Sequence, residues 1–212
     1  MTIDWQTHYR DNWAHKLNIN FTANRGRVID GMYNRAMGFD LMFMLMSKHR
    51  SKDFDIIETG TTRTPDNWTD GQSAFLFTKF VDWHGGRVRS VDIDPEACAA
   101  AKSLIASEKF SVDCSDSVVW LKQQTDLAAV DLFYLDSWDV VWEDDVPSAE
   151  HHLKEFLVIE PYLKPGAVVV VDDNTRWCHN QQRTGKGRRV FEYLEAKNHL
   201  PIYDQYQIVW QF

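Results

Sequence analysis

The hydrophobic and polar positions of this chain repeat with two different periods. After residue 54, short apolar runs such as FDIIETG, RVRSVDID, VDLFYLD and AVVVVDDN alternate with segments whose apolar residues recur every three or four positions. The runs have the length and continuity of strands that are buried on both faces, and the segments between them have helical spacing. This alternation predicts an α/β fold with a doubly wound, mostly parallel, Rossmann-like sheet.

The first 53 residues have a helical pattern without strands. The segment VIDGMYNRAMGFDLMFMLMSKHR carries apolar residues at mixed spacings of three and four, several of them methionines. Methionine adapts well to irregular cores, which favours core packing, while a lid or a dimer surface stays open as the alternative. We therefore expect N-terminal helices as an extension over residues 1–53, a main domain over residues 54–212, and a possible homodimer.

Composition and charge narrow the class of protein. The net charge is −8, from 31 acidic and 23 basic residues, which argues against broad binding of a nucleic-acid backbone. We expect no contact with a membrane, because no apolar stretch approaches the roughly 20 residues of a membrane-spanning helix. The N-terminal residues MTIDWQTHYRDNW do not resemble a secretory signal. Three widely spaced cysteines, without a CxxC pair, suit a reducing, cytoplasmic location.

Acidic residues cluster where the predicted strands end. In a parallel sheet the carboxyl ends of the strands share one edge, and ligands bind in the crevice beyond that edge. Clustered carboxylates repel one another unless a cation or a hydroxyl-rich ligand accepts them. We therefore expect the binding site at this edge, which would bring together Glu58, Asp92, Asp94, Asp136, Asp139, Asp172 and Asp173.

Two glycine-containing segments argue against a nucleotide-phosphate site. The turn after the first strand, ETGTTRTPDNWTDGQS, offers only Gly60 and Gly71, without the GxGxxG spacing that a dinucleotide needs. An NAD-type oxidoreductase is therefore disfavoured. The segment RTGKGRR lacks the GxxxxGK[ST] spacing, and we interpret it as a basic, mobile loop.

Six motifs, in order, resemble class I S-adenosylmethionine-dependent methyltransferases. They are IIETG, DGQS, SVDIDPEA, CSDSVVWL, LDSWD and VVDDNTRW. The motifs are most similar to those of the small metal-dependent O-methyltransferases of catechol, caffeoyl-CoA and sugar type. The resemblance implies an enzyme that transfers a methyl group from S-adenosylmethionine to a small hydroxylated acceptor. Alternatives that stay open are another metal-assisted activity on the same fold and a cofactor-binding module without methyl transfer.

The resemblance also implies cofactor contacts. Gly60 would let the backbone approach the methionine moiety, Ser73 would bind its carboxylate at a helix N-terminus, and Glu58 would orient its amino group or the loop. Asp92 would accept the ribose hydroxyls, and Ser115 and Asp116 would meet the adenine edge. Three of these residues could instead be helix caps, namely Ser73, Ser115 and Asp116. We assign Asp94 to capping, with Pro95 at the first helical position.

A magnesium site is the most specific expectation. Asp136, Asp173 and Asn174 match the metal-binding triplet of the caffeoyl-CoA-like enzymes, and three oxygen ligands suit Mg²⁺. The pair Asp172–Asp173 is an alternative to Asp173–Asn174. Asp136 could also position a substrate hydroxyl without any metal.

The general base is open between several residues. Asp139 stands where the catechol enzymes have a basic lysine, so Asp136, Asp139 and a histidine are the catalytic candidates. His151 and His152 point about 100° apart on a helix, and we favour His152 slightly. Four tryptophans in loops after strands are expected to line the acceptor pocket or to pack the loops: Trp68, Trp138, Trp142 and Trp177.

Overall fold

The computed structural model describes residues 4–17, 35–68, 72–176 and 183–212. Its main sheet has seven strands in the order β3-β2-β1-β4-β5-β9-β8. All neighbours are parallel except the pairs of β9 with β5 and with β8, which are antiparallel. The strands are β1 (Phe54–Thr59), β2 (Gly86–Asp92), β3 (Phe110–Cys114), β4 (Leu132–Leu135), β5 (Val168–Val171), β8 (Tyr203–Asp204) and β9 (Ile208–Gln211).

Helices cover both faces of this sheet, so the predicted doubly wound α/β fold is confirmed. The helices are α1 (Trp5–Tyr9, continued by a π-helical turn over Arg10–Ala14), α2 (Arg35–His49), α3 (Ser73–His84), α4 (Pro95–Leu104), α5 (Ser117–Gln123), α6 (Val146–Ile159) and α7 (Arg188–Glu195). Two short 3-10 helices span Leu127–Ala129 and Glu160–Tyr162. None of the helices in the described residues has the length and hydropathy that crossing a membrane requires.

Alternation along each strand divides the interior into two cores. Because successive side chains of a strand point to opposite faces, Ile56 and Tyr134 pack under α2 and α3, while Ile57 and Phe133 pack under α5, α6 and α7. The four valines of β5 are divided in the same way between the two cores. Continuous apolar strands therefore reflect burial on both faces, as the sequence pattern indicates.

The N-terminal helices belong to the first of these cores. The Tyr9 hydroxyl donates to the Ala36 carbonyl at 2.9 Å, and the ring of Phe39 stacks on Tyr134 at 5.8 Å. Met42 and Met46 are buried, as core packing predicts, whereas Met37 and Met44 are half exposed. The division at residue 53 and the role as a lid or a dimer surface stay predictions, and Met32 lies outside the described residues.

β1 lies between β2 and β4, so the chain order of the strands reverses there and a crevice opens at the carboxyl edge. A second, two-stranded sheet lies just after β5. It is a hairpin of β6 (Asn174–Arg176) and β7 (Arg183–Gly185), which the sequence pattern does not predict. The turn into β6 and the end of β7 return the chain to the carboxyl edge, and this brings residues from the basic segment into the site.

Candidate functional site

Two neighbouring pockets open at the carboxyl edge of the sheet. The first, which we call the Asp92 pocket, has a volume of about 420 Å³ and is lined by residues after β2, β3 and β4. The second, the Lys186 pocket, has a volume of about 280 Å³ and is lined by residues after β1, β4, β5 and β7. Arg63 and Asp139 line both pockets. Both pockets therefore lie at the edge that the acidic clusters predict.

The Asp92 pocket combines a carboxylate with exposed apolar side chains. Asp92 is the last residue of β2, and its Oδ1 accepts the Asp94 N–H at 2.9 Å, which fixes the carboxylate in the turn. Burial raises the pKa of Asp92. Ile93 and Trp138, which are 69% and 51% exposed, line the same pocket. Such a pocket can hold a flat, partly polar molecule whose hydroxyls face a carboxylate.

Helix caps border this pocket, in part as predicted. Asp94 caps α4 by accepting the Glu96 N–H at 2.9 Å, with Pro95 at the first helical position. Asp116 caps α5 by accepting the Val119 N–H at 2.9 Å, and Asp116 also lines the pocket. Ser115 lines neither pocket, whereas Ser117 lines the Asp92 pocket.

Three other predicted cofactor residues lie beneath or beside the pockets. Ser73 begins α3 and lines the Lys186 pocket. Gly60 lines neither pocket: it has φ of +85°, and a Cβ there would stand 2.6 Å from the Asp136 carbonyl oxygen. Glu58 is 1% exposed and accepts the Ser90 hydroxyl at 2.6 Å. Burial raises the pKa of Glu58 to about 7, against the lowering effect of the Ser73 and Ser90 hydroxyls.

The Lys186 pocket contains an ammonium between two carboxylates. Lys186 is 1% exposed, and its Nζ forms ion pairs with Asp136 Oδ1 and, at 2.9 Å, with Asp173 Oδ2. The two carboxylates raise the pKa of Lys186 well above its usual value, although burial acts the other way. The two carboxylates therefore favour the charged form of the lysine.

Two glycines allow this lysine to reach the carboxyl edge. Gly185 has φ of +120°, and a Cβ there would lie 2.2 Å from the Asp173 carbonyl oxygen. A Cβ on Gly187 would lie 2.7 Å from Asn174 Oδ1. The Gly–Lys–Gly backbone can therefore pack directly on the turn at Asp173 and Asn174, which no bulkier residue would permit. The expected mobile loop at RTGKGRR is thus corrected for Arg183–Arg188, which form an ordered strand end and helix start.

The predicted magnesium ligands do not fit a divalent cation. Asn174 Oδ1 accepts the Gly187 N–H at 2.7 Å, and its Nδ2 donates to the backbone carbonyls of Val171 and Asp172. The Lys186 ammonium occupies the space between the other two ligands. A divalent cation on the same oxygens would lie roughly 4 Å from the ammonium, at a repulsion of about 8 kcal/mol for an effective dielectric of about 20.

The magnesium expectation is therefore not supported by the structure. Among the described residues, no group of three or more His, Cys, Asp or Glu side chains is arranged to hold a metal ion. The alternative pair Asp172–Asp173 does not rescue the site, because Asp172 faces away from the pocket toward a second set of partners. Its Oδ2 accepts from Tyr134 at 2.5 Å and from Arg35 at 3.0 Å.

Arg35 and Tyr206 line the Lys186 pocket and contact Asp173. Arg35, at the first residue of α2, is 5% exposed and lies 3.8 Å from Asp173 Oδ1. The Tyr206 hydroxyl donates to the same Asp173 oxygen. Lys186 and Arg35 lower the pKa of Asp173 well below its usual range, in spite of its burial. Asp173 therefore stays ionised and fixes the ammonium of Lys186.

Of the two histidines on α6, the structure turns His151 and not His152 toward a pocket. His152 is fully buried, its Nδ1 donates to the Ser148 carbonyl at 2.7 Å, and burial lowers its pKa to about 4. His151 lines the Asp92 pocket and its Nε2 lies 2.8 Å from the Ser117 hydroxyl. This corrects the preference for His152 as a catalytic residue.

Asp139 and Asp136 both line the Lys186 pocket, with different partners. Both oxygens of Asp139 accept from Arg63, at 2.8 and 3.0 Å, and this pairing lowers the pKa of Asp139. Asp136 uses Oδ1 for Lys186, while its Oδ2 has no hydrogen bond within the described ranges. Trp142 also lines this pocket, Trp138 lines the other, Trp68 is buried in the core, and Trp177 lies outside the described residues.

The residues of the Lys186 pocket that sequence reasoning missed include the three that contact Asp173, which are Lys186, Arg35 and Tyr206. Only Lys186 carries a local signal, since a lysine between two glycines indicates a backbone that approaches another segment closely. Arg35 and Tyr206 come from the first and last parts of the described fold, and nothing in their neighbouring residues marks them.

Comparison with known proteins identifies similar chains. A sequence family described as a methyltransferase domain matches residues 68–174, half of the chain. No curated protein sequence matches it. Among solved structures, an rRNA methylase from Streptococcus thermophilus has a TM-score of 0.51 at 10% identity, over 82% of this chain and 95% of that one. This similarity supports the doubly wound fold.

Two further solved structures have lower scores. The N-methyltransferase NodS from Bradyrhizobium japonicum WM9 has a TM-score of 0.49 at 14% identity, over 83% of this chain and 93% of that one. The 1,6-didemethyltoxoflavin-N1-methyltransferase from Burkholderia thailandensis, solved with 1,6-didemethyltoxoflavin and S-adenosylhomocysteine, has a TM-score of 0.46 at 15% identity, over 99% and 90% of the two chains.

Proposed function

This chain belongs to the methyltransferase domain family, among class I S-adenosylmethionine-dependent enzymes, and from that premise we propose that it methylates a hydroxyl oxygen of a small, uncharged, polar acceptor. The observation that carries the proposal is the pair of adjoining pockets at the carboxyl edge, which share Arg63 and Asp139. Methyl transfer requires two bound reactants whose reacting atoms meet, and adjoining pockets provide that arrangement.

The Asp92 pocket is the proposed site of the adenosine moiety. Asp92 accepts the ribose hydroxyls, because a carboxylate at the end of the second strand suits a pair of hydroxyl donors. Ile93 and Trp138 contact the faces of the adenine, and Asp116 meets its edge. The methionine part then extends toward Ser73 at the start of α3, where the free N–H groups of a helix favour a carboxylate.

The Lys186 pocket is the proposed acceptor site, and its charges suggest an uncharged acceptor. Three cations and three carboxylates line it, and each cation lies beside a carboxylate. An ionic acceptor would find no uncompensated charge of opposite sign, whereas a hydroxylated molecule can hydrogen-bond to both kinds of group. The small volume of about 280 Å³ suits a compact molecule.

The proposed reaction is a direct in-line displacement. The acceptor oxygen forms a bond to the methyl carbon while the carbon–sulfur bond breaks, and the sulfur keeps the electron pair as the neutral thioether of S-adenosylhomocysteine. Asp136 Oδ2 takes the hydroxyl proton, because Asp139 already accepts from Arg63 with both oxygens. Alignment of the two reactants supplies most of the acceleration.

Calorimetric titration with S-adenosylmethionine tests the cofactor site. Asp92→Asn should weaken binding of S-adenosylmethionine by about 10-fold to 100-fold, because the ribose hydroxyls lose their hydrogen bonds to a charged carboxylate. Glu96→Gln is the matched control, since it removes a carboxylate charge from an exposed residue that lines neither pocket. Equal affinities of the two variants would contradict the assignment of Asp92.

Mass-spectrometric detection of S-adenosylhomocysteine tests the acceptor class. The purified protein is incubated with S-adenosylmethionine and with matched small molecules that bear hydroxyl, amino or carboxylate groups on the same scaffold. The proposal expects turnover with neutral hydroxylated members and loss of turnover in Asp136→Asn. Turnover confined to amines or carboxylates would refute methylation of a hydroxyl oxygen.

A further inference from the structure

The ammonium of Lys186 lies between the carboxylates of Asp136 and Asp173, which would repel each other without a cation there. Both carboxylates contact it, Asp173 Oδ2 at 2.9 Å, and all three residues line the acceptor pocket. We propose that Lys186 is the fixed cation of this site, that it replaces a divalent metal, and that it donates a hydrogen bond to the acceptor oxygen. The last part rests on the proposed function, whereas the replacement of a metal does not.

The position of the ammonium is built into the fold. The Lys186 N–H donates to the Asp173 carbonyl at 3.2 Å, and the Gly187 N–H donates to Asn174 Oδ1 at 2.7 Å. On the other side, the Gly185 N–H donates to Asp145 Oδ2 at 2.8 Å. Three consecutive backbone N–H groups are therefore fixed, and the side chain of Lys186 reaches the pocket from this fixed backbone.

The same Asp145 carboxylate also anchors the following helix. It accepts two hydrogen bonds from Arg188, at 2.6 and 2.9 Å, so β7 and α7 are attached at one point. Asn174 would be the third oxygen ligand of a metal, but its Oδ1 is committed to the Gly187 N–H. The segment that brings in the lysine thus also removes a ligand that a metal would use.

The third N–H group of the Lys186 ammonium can donate a hydrogen bond to the molecule that is methylated. A lysine has three N–H donors, and two of them point to the carboxylates of Asp136 and Asp173. The third partner is the Asp136 carbonyl oxygen at 3.4 Å, which is a long contact. An acceptor oxygen that approaches more closely can replace this contact. Lys186 keeps its proton throughout, and Asp136 receives the proton of the hydroxyl.

Titration with Mn²⁺ alone, after chelation of all metals, tests the replacement. The wild type should bind no Mn²⁺ at the site. Lys186→Ala removes the ammonium from between Asp136 and Asp173, and it should bind one Mn²⁺ at least 10-fold more tightly than any binding that the wild type shows. Adding Asp173→Asn to that variant should abolish the gain, and asparagine tolerates the left-handed backbone at this position, where φ is +53°. Lys197→Ala, at an exposed ion pair, is the control and should behave as the wild type.

Two results would overturn the proposal. One is stoichiometric Mn²⁺ binding by the wild type that Asp173→Asn removes, and the other is equal Mn²⁺ affinity in the wild type and in Lys186→Ala. If circular dichroism shows that Lys186→Ala is unfolded, the wild-type titration still decides, together with methyl transfer in the presence of a chelator. The Mn²⁺ titration contains neither S-adenosylmethionine nor a methyl acceptor. Its result therefore tests the replacement of a metal even if the proposed methyl transfer is wrong.

Discussion

Two buried groups, Glu58 and His152, should give opposite contributions to the pH dependence of stability. Burial raises the pKa of Glu58 from 4.5 to about 7, because the carboxylate is costly beneath the sheet edge. Burial lowers the pKa of His152 from 6.5 to about 4, because the imidazolium is costly there. Each of these pKa changes corresponds to roughly 3 kcal/mol of unfolding free energy.

The signs follow from the protons bound in each state. For Glu58 the folded state binds more protons than the unfolded state between pH 4.5 and 7, so the free energy of unfolding falls as pH rises through that window. For His152 the unfolded state binds more protons between pH 4 and 6.5, so this contribution is present above pH 6.5 and is lost as pH falls toward 4. Near pH 5.5 the contributions of the two groups to the slope of the unfolding free energy against pH are opposite in sign and nearly cancel.

Single substitutions should expose each contribution. At pH 5.5 each group differs by nearly one proton between the two states, which corresponds to a slope of about 1 kcal/mol per pH unit. Relative to the wild type, Glu58→Gln should raise the slope of unfolding free energy against pH by that amount. His152→Gln should lower it by the same amount, and the double variant should return to the wild-type slope.

Urea unfolding of the four proteins between pH 5 and 6.5, without cofactor, measures these slopes. Comparing slopes, and not absolute stabilities, separates the titration from any loss of packing in the variants. Parallel pH profiles in all four proteins would refute the reasoning, since they would mean that neither group changes its pKa on folding. A slope change in only one single variant would confine the error to the other residue.

Three further predictions concern stability, measured by urea unfolding at constant pH. Asn174→Ala should lower the free energy of unfolding by about 2–4 kcal/mol, because the Gly187 N–H and several backbone carbonyls lose their hydrogen-bond partner. The comparison is Asp113→Ala, which removes the partner of the Trp120 indole N–H alone. A smaller loss of stability in Asn174→Ala than in Asp113→Ala would contradict the prediction. Gly60→Ala should lower the free energy of unfolding by at least about 2 kcal/mol, because φ is positive there and the new Cβ would clash with the Asp136 carbonyl oxygen. An unchanged stability would exclude that close contact. Tyr206→Phe should lower the free energy of unfolding by about 1–3 kcal/mol, the value of a hydrogen bond to a carboxylate, and an unchanged stability would contradict this contact.

Much of the fold can be read from the sequence, because its strands are buried on both faces. The valine run of β5 and the apolar run of β4 are continuous, so period and length identify them without help from tertiary structure. The rule that parallel strands end at one edge correctly brings Asp92, Asp136 and Asp173 to the two pockets. The prediction of a class I S-adenosylmethionine-dependent methyltransferase is confirmed, while the metal-dependent subtype is not supported.

The errors arise where charge pairing depends on distant contacts. Lys186 and Asp136 are 50 residues apart, and the glycines beside Lys186 indicate a close backbone approach without revealing which carboxylates the lysine meets. The hairpin of β6 and β7 has strands of only three residues, too short for a periodic pattern. The choice between His151 and His152 depends on the rotation of α6 against α5, which an adjacent pair of histidines does not reveal.

The order of strands has a consequence for biosynthesis. β9 is made last of the nine strands, yet it forms the antiparallel neighbour of β5, and Tyr206 just before it completes the contacts of Asp173. Until β9 emerges, a growing chain presents four consecutive valines along an unpaired strand edge, which is a surface that promotes association between chains. Variants that weaken β9 should therefore reduce the yield of soluble protein during expression more than they reduce the stability of the finished molecule.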